Sequence, residues 1–308
     1  MTKKQELEGI FLTLIGGILW GFSGACGQFL FSHYPVTPVW LTCIRMLGAG
    51  VILTLYNGIR QRKKTLKIFT VKTDVYRLLA FSIIGILFCQ FAYLKAIQYS
   101  NAGTATVIQY TGPVMIMIYV CVKSLKWPSS REVMAIFLAV GGTFLLATGG
   151  DMQNMLLSPK GLMWGLMAAL GLALYTLIPG KLLEKWGSMI ITGYGMLIGG
   201  VVLKGVTRVP IMLPGLDFEG YLAVAGMVFL GTIFSFSAYL KGVSLIGPVK
   251  AGMIASIEPV AAVLLSVFWL GTPVHITDII GFVCILSVIF LLTKREEKKD
   301  FQGEYLKD

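Results

Sequence analysis

The sequence predicts an all-α integral membrane protein with ten transmembrane helices, arranged as two inverted five-helix repeats. Three observations predict this fold: an apolar composition, ten long apolar segments and an internal repeat. Of the 308 residues, 56% are hydrophobic and 13% are charged, and the mean hydropathy is +0.79. A soluble protein of this size carries a larger charged fraction, so the composition indicates a chain that lies in a lipid bilayer.

Ten apolar segments are long enough to cross that bilayer. A spanning helix needs about 20 apolar residues to cross a hydrocarbon core of about 30 Å. By this measure, helices 1 to 10 are predicted at 9–31, 38–56, 78–98, 104–122, 132–149, 161–179, 188–206, 220–240, 249–270 and 277–293. The first segment is expected to remain as a helix, because Lys3 and Lys4 precede a long apolar run without a clear small-residue cleavage site.

The internal repeat relates residues 76–147 to residues 222–293 at a constant offset of 146, without a gap. The strongest matches are Ala-Tyr-Leu-Lys at 92–95 and 238–241, Pro-Val at 113–114 and 259–260, and Phe-Leu-Leu at 144–146 and 290–292. The predicted units are therefore 1–150, the first five-helix repeat, and 151–308, the second repeat with a short cytoplasmic C-terminal tail. Five is an odd number, so the second repeat enters the membrane from the opposite side. Inverted repeats of this kind are typical of secondary transporters.

The positions of the basic residues predict the orientation in the membrane. If both termini are cytoplasmic, the inner segments hold 21 of the 26 lysines and arginines, including the run from Arg60 to Arg77. Cytoplasmic loops retain Lys and Arg during insertion, so we expect both termini in the cytoplasm. This asymmetry explains the net charge of +11, and no nucleic-acid partner is expected.

Helix 1 carries one face of aromatic, small and polar residues, and helix 6 carries a related pair. A polar face turned toward lipid would leave its groups without hydrogen bonds, so these faces are expected to line an internal cavity. The alternative for the glycines is helix packing, through small-xxx-small pairs such as Gly17 and Gly21 or Gly195 and Gly199. The residues of the two faces are Trp20, Ser23, Gly24, Gly27 and Gln28 in helix 1, and Tyr175 and Thr176 in helix 6.

Helices 4 and 9 each contain a proline at the same place in the repeat, Pro113 and Pro259. Each proline removes one backbone hydrogen bond and leaves a carbonyl unpaired, and such broken positions commonly face a cavity. The alternative is a simple packing kink. The polar residues at these positions and the repeat-related tyrosines complete the candidate cavity: Tyr93, Gln109, Tyr110, Thr111, Tyr239, Ser256 and Glu258.

Two charged residues lie within predicted helices, Glu258 in helix 9 and Arg45 in helix 2. A carboxylate at this depth is costly unless it is paired, hydrated or protonated. Three interpretations of Glu258 remain open: a proton-coupling group, a counter-charge for a substrate amine, or a structural partner of Arg45. Arg45 is expected either to extend outward to the membrane surface or to reach Glu258.

Nothing in the sequence predicts a metal or a cofactor. The five cysteines lie in apolar segments and show no metal-type spacing, so we interpret them as small core residues. His33 and His275 lie alone in short outer connections, and no nucleotide-binding fingerprint is present. We also expect no obligatory protein partner.

Several of these residues together resemble the EamA-type transporters of the drug/metabolite transporter superfamily. The resemblance rests on Trp20 and Gly21, Arg45, the stretch from Tyr93 through Ala105 to Pro113 and Val114, and the run 258–260. It covers about residues 9–293 and implies a ten-helix, inverted-repeat carrier of small metabolites, often amino acids, frequently moved outward. It also implies a cavity lined by helices 1, 3, 4, 6, 8 and 9.

The expected function is an alternating-access carrier in the plasma membrane for a small polar or zwitterionic metabolite, with amino acids and their relatives first. Its expected partners are that small-molecule substrate and the lipid bilayer. The alternative is an organic-cation or amine transporter, in which Glu258, Trp20, Tyr110 and Tyr175 supply a carboxylate and cation-π faces. A membrane-embedded enzyme acting on lipid-linked substrates is a remote alternative, because the sequence shows no cluster of acid and base residues.

Overall fold

The chain is helical throughout the part described by the computed structural model, residues 3–100, 102–154, 158–211, 215–270 and 275–293, and these residues contain no β-strand. Seven helices in this part are long and apolar enough to cross a membrane: Lys3–His33, Pro38–Arg60, Lys72–Tyr99, Ala102–Ser124, Pro159–Leu177, Ser188–Thr207 and Phe218–Ile246. The predicted all-α membrane class is confirmed. The predicted C-terminal tail after residue 293 lies outside the described residues.

We number the long helical units α1 to α10 in chain order. The seven spanning helices are α1 to α4 and α6 to α8, and Ser130–Thr148 is α5. Unit α9 consists of two helices, Pro248–Ile254 and Ile257–Leu270, and Ile276–Thr293 is α10. Short helices at Arg62–Lys67 and Gly180–Trp186 join α2 to α3 and α6 to α7. Each predicted apolar segment therefore coincides with a helical unit, although α5, α9 and α10 are not among the seven spanning helices.

Capping side chains explain where several helices begin. The Thr37 hydroxyl accepts a hydrogen bond from the Trp40 N–H at the start of α2, and Ser129 and Glu132 form a capping box at the start of α5. Ser158 caps α6 and Asp217 caps α8, each accepting a bond from a backbone N–H three residues later. Caps satisfy N–H groups that have no partner inside the helix, so helices extend beyond the apolar segments that the sequence marks.

Both copies of the sequence repeat interrupt their helices at matching places. Helix α3 contains a π-helical segment at Phe81–Leu87, and α8 contains one at Phe229–Phe234. The offset of 146 moves the first segment to 227–233, which overlaps the second. Helix α4 is interrupted at 110–111, and α9 is interrupted at 255–256, within one residue of the position that the offset gives. The repeat in sequence is thus also a repeat of helix irregularities.

Helix α2 packs against α7 through glycines. A Cβ atom on Gly50 would lie 2.4 Å from the Leu197 nitrogen, and one on Gly193 would lie 3.0 Å from the Leu53 Cβ. Gly17 and Gly195 are equally crowded, by the side chains of Ile257 and Phe81. These distances support the helix-packing interpretation of the glycines, because small residues let helix backbones approach closely.

Polar contacts join residues before position 151 to residues after it at both ends of the bundle. On the side where α1 begins, which we call the N-terminal face, Lys250 Nζ lies 2.5 Å from a Glu6 carboxylate oxygen, and Lys185 Nζ lies 2.6 Å from Asp74. The Trp186 indole N–H donates to the same Asp74 oxygen at 3.0 Å. On the opposite face, the Tyr34 hydroxyl donates to Asp217. The bundle is therefore tied together at both faces.

Candidate functional site

A small cavity of about 40 Å³ lies at the centre of the bundle. It has room for about three water molecules, since one water needs roughly 10–15 Å³ of such space. Seven of the numbered helices contribute to its wall: the six that the resemblance implies, and α2 through Arg45. The wall residues are Trp20, Ser23, Arg45, Cys89, Gln90, Tyr93, Gln109, Tyr110, Leu172, Tyr175, Phe236, Tyr239, Gly252, Ala255 and Glu258.

The structure brings most of the sequence-predicted cavity residues into this wall. Gly24, Gly27 and Gln28 of the helix 1 face lie outside it, and so do three hydroxyl residues. These are Thr111, Thr176 and Ser256, whose hydroxyls donate to carbonyls of their own helices: those of Ile108 (2.8 Å), Leu172 (2.7 Å) and Met253 (2.7 Å). Polarity at the right depth indicated these residues, but their hydroxyls bond to carbonyls of their own helices, as Ser and Thr side chains within helices often do. The predicted residues in the wall are Trp20, Ser23, Tyr93, Gln109, Tyr110, Tyr175, Tyr239 and Glu258.

Gln90 and Phe236 are wall residues that the sequence analysis missed. Each lies three positions before a repeat-related tyrosine, Gln90 before Tyr93 in α3 and Phe236 before Tyr239 in α8. Residues three apart lie on the same face of a helix. That spacing would have found both of them.

Four aromatic rings form one side of the cavity: Trp20, Tyr175, Phe236 and Tyr239. The Trp20 ring centroid lies 4.7 Å from that of Tyr239 and 5.1 Å from that of Phe236, and the Tyr175 and Tyr239 rings stack at 5.8 Å. Rings come from α1, α6 and α8, so the cluster joins three helices. Such a surface can hold the apolar part of a small ligand or an organic cation.

Three buried polar atoms of wall residues have no hydrogen-bond partner in the described part of the chain. They are the Trp20 indole nitrogen, the Tyr175 hydroxyl and the Gln90 side-chain oxygen. An unpaired buried polar atom costs about 1–3 kcal/mol, so each such atom in a native structure needs an explanation. All three belong to residues of the cavity wall, which marks this wall as the candidate binding surface.

Glu258 lies at the break in α9 and contacts two tyrosines across the cavity. Its carboxyl oxygens lie 3.3 Å from the Tyr93 hydroxyl and 3.2 Å from the Tyr110 hydroxyl. Pro259 has no N–H to bond the Ala255 carbonyl, and the Tyr110 hydroxyl donates to that carbonyl at 2.5 Å. The break in α9 is thus bridged by a side chain from the break in α4, as expected of a broken position that faces a cavity.

The hydroxyls of Tyr93 and Tyr110 each lie within hydrogen-bond distance of two acceptors. Tyr110 reaches the Ala255 carbonyl and one Glu258 oxygen, and Tyr93 reaches Thr106 Oγ1 at 2.8 Å and the other Glu258 oxygen. Each hydroxyl has one hydrogen to donate, so a carboxylate at Glu258 receives these bonds in competition with Ala255 and Thr106.

Arg45 does not extend outward to the membrane surface, so that expectation was wrong. Its side chain is 4% exposed, and it donates to Thr232 Oγ1 (3.1 Å), the Gly231 carbonyl (3.2 Å) and Ser23 Oγ (3.3 Å). The π-helical segment of α8 supplies two of these acceptors, which the sequence pattern did not reveal. Arg45 and Glu258, both within the described residues, form no ion pair with each other. The alternative in which Glu258 is a structural partner of Arg45 therefore finds no ion pair in support.

The described part of the chain is a helical bundle with seven candidate spanning helices and a polar and aromatic cavity among them, as in a multi-pass integral membrane protein. The chain belongs to the EamA-like transporter family, whose model matches residues 7–148 and, a second time, residues 159–294. The resemblance to EamA-type transporters is thereby confirmed.

Relatives and a solved structure agree with this family. The chain is 34% identical to the uncharacterized inner membrane transporter YicL of Salmonella typhimurium, over 93% of this chain and 95% of that protein. It is 22% identical to the uncharacterized transporter YyaM of Bacillus subtilis, over 90% of this chain and 91% of that protein. A crystal structure with 16% identity superposes with a TM-score of 0.75, covering 97% of this chain and all of that chain. At that identity the superposition shows the shared fold.

Proposed function

We propose that the protein is an alternating-access secondary transporter for a small polar or zwitterionic metabolite, with amino acids and related compounds first. It moves this substrate outward across the plasma membrane, through ten helices that form two inverted five-helix repeats with both termini in the cytoplasm. The repeated π-helical segments and helix breaks support two equivalent units. A cavity between such units can open to either side as they rock against each other.

The observation that carries the proposal is the polar and aromatic cavity. It lies at the centre of the bundle, its wall takes residues from both repeats, and three of its polar atoms have no partner in the described residues. It also holds one carboxyl group and one guanidinium that are not paired with each other. A structural core would pair or remove such groups, since an unpaired buried charge is strongly unfavourable. A binding site keeps them for its ligand.

Glu258 has a role in this proposal that follows from its contacts. In the proposal it carries a proton before the substrate binds, because an ionised carboxylate inside a membrane is costly without a cation beside it. A substrate ammonium group that enters the cavity favours the ionised carboxylate, so binding releases the proton. Exchange of a proton for an amine couples outward transport to a proton gradient. The structural interpretation of Glu258 as a partner of Arg45 finds no contact in support.

An organic-cation or amine transporter is the second candidate, and the aromatic cluster favours it. Trp20, Phe236 and Tyr239 present rings close together beside the cavity, as in sites that bind quaternary ammonium groups. Within the described wall, Glu258 is the one carboxyl group and there is no histidine. A membrane-embedded enzyme with acid and base catalysis therefore finds less support.

The test is uptake into proteoliposomes with and without a pH gradient. The panel contains labelled alanine, leucine and phenylalanine, their decarboxylated amines and a quaternary ammonium compound. The wild type is compared with Glu258→Gln and with Glu8→Gln, which removes the same charge from an exposed position in α1. We expect saturable amino-acid transport that the pH gradient stimulates. In Glu258→Gln the transport rate should fall by about tenfold or more, as expected for the loss of a charge-assisted contact.

Two other outcomes would change the proposal. Transport of amines and quaternary ammonium compounds without amino acids would establish the second candidate. Saturable amino-acid transport that ignores both the gradient and Glu258→Gln would leave a facilitator and remove the coupling role of Glu258. Absence of transport for the whole panel would contradict the proposed function.

A further inference from the structure

We propose that Arg45 binds the carboxylate of the transported molecule, so that the substrate lies with its carboxylate at Arg45 and its ammonium group at Glu258. This inference rests on the proposed carrier function and deepens it. It makes the substrate class an α-amino acid or a zwitterion of similar length. It also assigns a binding role to a residue in which the sequence showed only a buried charge.

The first observation is that Arg45 is a buried charge without a counter-ion. Its three acceptors are a threonine hydroxyl, a serine hydroxyl and a backbone carbonyl, all neutral. The ion pairs formed within the described residues lie at the N-terminal face, on Glu6 and Asp74. A guanidinium in the centre of a membrane protein is unfavourable unless an anion neutralises it. Since Arg45 lies in the cavity wall, the anion can come from the ligand.

The second observation is that the surroundings hold the guanidinium in one orientation and leave part of it free. A guanidinium has five N–H donors, and Arg45 engages three of them, one on Nε and two on Nη2. Nη1 makes no hydrogen bond to the described part of the chain. Its two donors are available to carboxylate oxygens, the groups that a rigid guanidinium recognises best.

The π-helical segment of α8 makes this orientation possible. A π turn widens the helix, and the Thr232 hydroxyl donates to the Met227 carbonyl five residues earlier at 2.8 Å. The Thr232 oxygen is thereby left to accept from Arg45 Nε, and the Gly231 carbonyl accepts from Nη2. Such segments occur frequently at functional sites. Here the segment positions one side chain of the cavity.

The third observation is that a contact between a neighbouring helix and a π-helical segment does not need an arginine. The corresponding contact in the other repeat joins α7 to the π-helical segment of α3, and glycines make it. Cβ atoms on Gly195 and Gly199 would lie 2.5 Å from Phe81 Cε1 and 2.8 Å from the Ser82 carbonyl. That contact is thus made by packing, without a charged side chain.

Opposite charges that share a cavity without pairing match a zwitterion. Arg45 and Glu258 come from α2 and α9, and the aromatic cluster of Trp20, Tyr175, Phe236 and Tyr239 lies in the same wall. An amino acid brings one group for each charge and a side chain for the aromatic surface. A simple amine would satisfy Glu258 and leave Arg45 without an anion. The geometry thus favours amino acids over amines.

The test measures binding of matched acids and amides to the purified full-length protein by calorimetry. The probes are alanine, leucine and phenylalanine, and the corresponding amides, which keep the ammonium group and lose the carboxylate charge. We expect the wild type to bind at least one acid about tenfold to a hundredfold more tightly than its amide. Arg45→Gln should reduce this ratio to about one. Lys95→Gln, which removes a charge at the exposed end of α3, should leave it unchanged.

Two more variants keep the test informative if Arg45→Gln does not fold. Thr232→Val removes one acceptor but keeps the guanidinium, and Arg45→Lys keeps the charge but loses the planar fork. Both variants should give an acid-to-amide affinity ratio that lies between the wild-type value and one. The inference would be overturned if the wild type bound acids and amides equally tightly. It would also be overturned if every variant that folds kept the wild-type affinity ratio. If amines are transported and acids are not favoured, this inference falls while the carrier function stands; if no solute is transported, both fall.

Discussion

At the scale of single residues, side chains from other helices donate to backbone carbonyls where α8 and α9 are irregular. Pro259 cannot donate to the Ala255 carbonyl, which accepts from the Glu258 N–H at 3.0 Å and from Tyr110 of α4. The Gly231 carbonyl, in the π-helical segment of α8, accepts from Arg45 of α2. The same irregularities therefore hold helices together and position the charged groups.

A residue-scale prediction concerns the hydrogen bond between Tyr34 and Asp217, outside the membrane-spanning helices. The bond from Tyr34 holds the pKa of the Asp217 carboxyl below its usual range, and it raises the pKa of Tyr34 to about 12. The lowered Asp217 pKa gives stability above about pH 4, which is lost as the pH falls through the folded-state pKa. The raised Tyr34 pKa gives stability that is full below about pH 10 and is lost as the pH rises through 12.

Tyr34→Phe should therefore lower the unfolding temperature by a constant amount between about pH 4 and pH 10, and the difference from wild type should shrink below pH 4. Thermal unfolding in detergent at pH 3, 5, 7 and 8 measures this. Tyr221→Phe, at an exposed position in α8, is the matched control and should show no pH-dependent difference. An equal loss at pH 3 and pH 7 for Tyr34→Phe would contradict the titration argument.

At the scale of helices, close packing depends on glycine at the points where backbones approach. A Cβ atom on Gly50 of α2 would lie within 2.6 Å of two backbone atoms of Leu197 in α7. A backbone cannot turn aside as a flexible side chain can, so the two helices would have to separate. Gly58 in the same helix has no neighbouring atom within 4 Å of such a Cβ. One helix thus offers both the test and its control.

Gly50→Ala should destabilise the protein by about 1–3 kcal/mol through overpacking. Gly58→Ala should be neutral or stabilising by up to about 1 kcal/mol, because alanine favours a helix more than glycine does. Unfolding midpoints of both variants in the same detergent check the pair. If Gly50→Ala were as stable as Gly58→Ala, the close contact between α2 and α7 would be wrong.

Helix positions could be predicted from the sequence far better than helix irregularities. Apolar length located every helical unit, but ends such as Lys3 and Lys72 came earlier than predicted, because hydropathy does not mark the polar turns that extend a helix. Pro113 and Pro259 marked the breaks in α4 and α9 directly. No comparable residue type marks a π turn, so the partners of Arg45 could not be foreseen. Thr111, Thr176 and Ser256 were indicated by polarity alone, and their own helices satisfy them.

At the scale of the whole molecule, the described contacts close the bundle on both sides of a small cavity. Glu6–Lys250 and Asp74–Lys185 join the two repeats at the N-terminal face, and Tyr34–Asp217 joins them at the other face. A cavity of about 40 Å³ is too small for an amino acid in this arrangement. Under the proposed alternating-access mechanism, one set of contacts opens while the other holds. The ion pairs at the N-terminal face are the contacts to break first, since their charges can be removed without touching the cavity.

Cys89 offers a reporter of this opening, because it lies in the cavity wall and is 5% exposed. In a protein whose other cysteines are replaced by alanine, Glu6→Gln with Asp74→Asn should increase the rate at which a charged, membrane-impermeant maleimide added at the N-terminal face labels Cys89. An ion pair open to solvent on one side is worth at most about 1 kcal/mol, so loss of each pair should raise the labelling rate by up to about fivefold.

Glu8→Gln, which removes a charge from the same face of the bundle without breaking a described ion pair, should leave the labelling rate of Cys89 unchanged. Inverted and right-side-out vesicles distinguish the two sides. Faster labelling only from the opposite side, or an equal increase with Glu8→Gln, would show that these ion pairs do not close the N-terminal face.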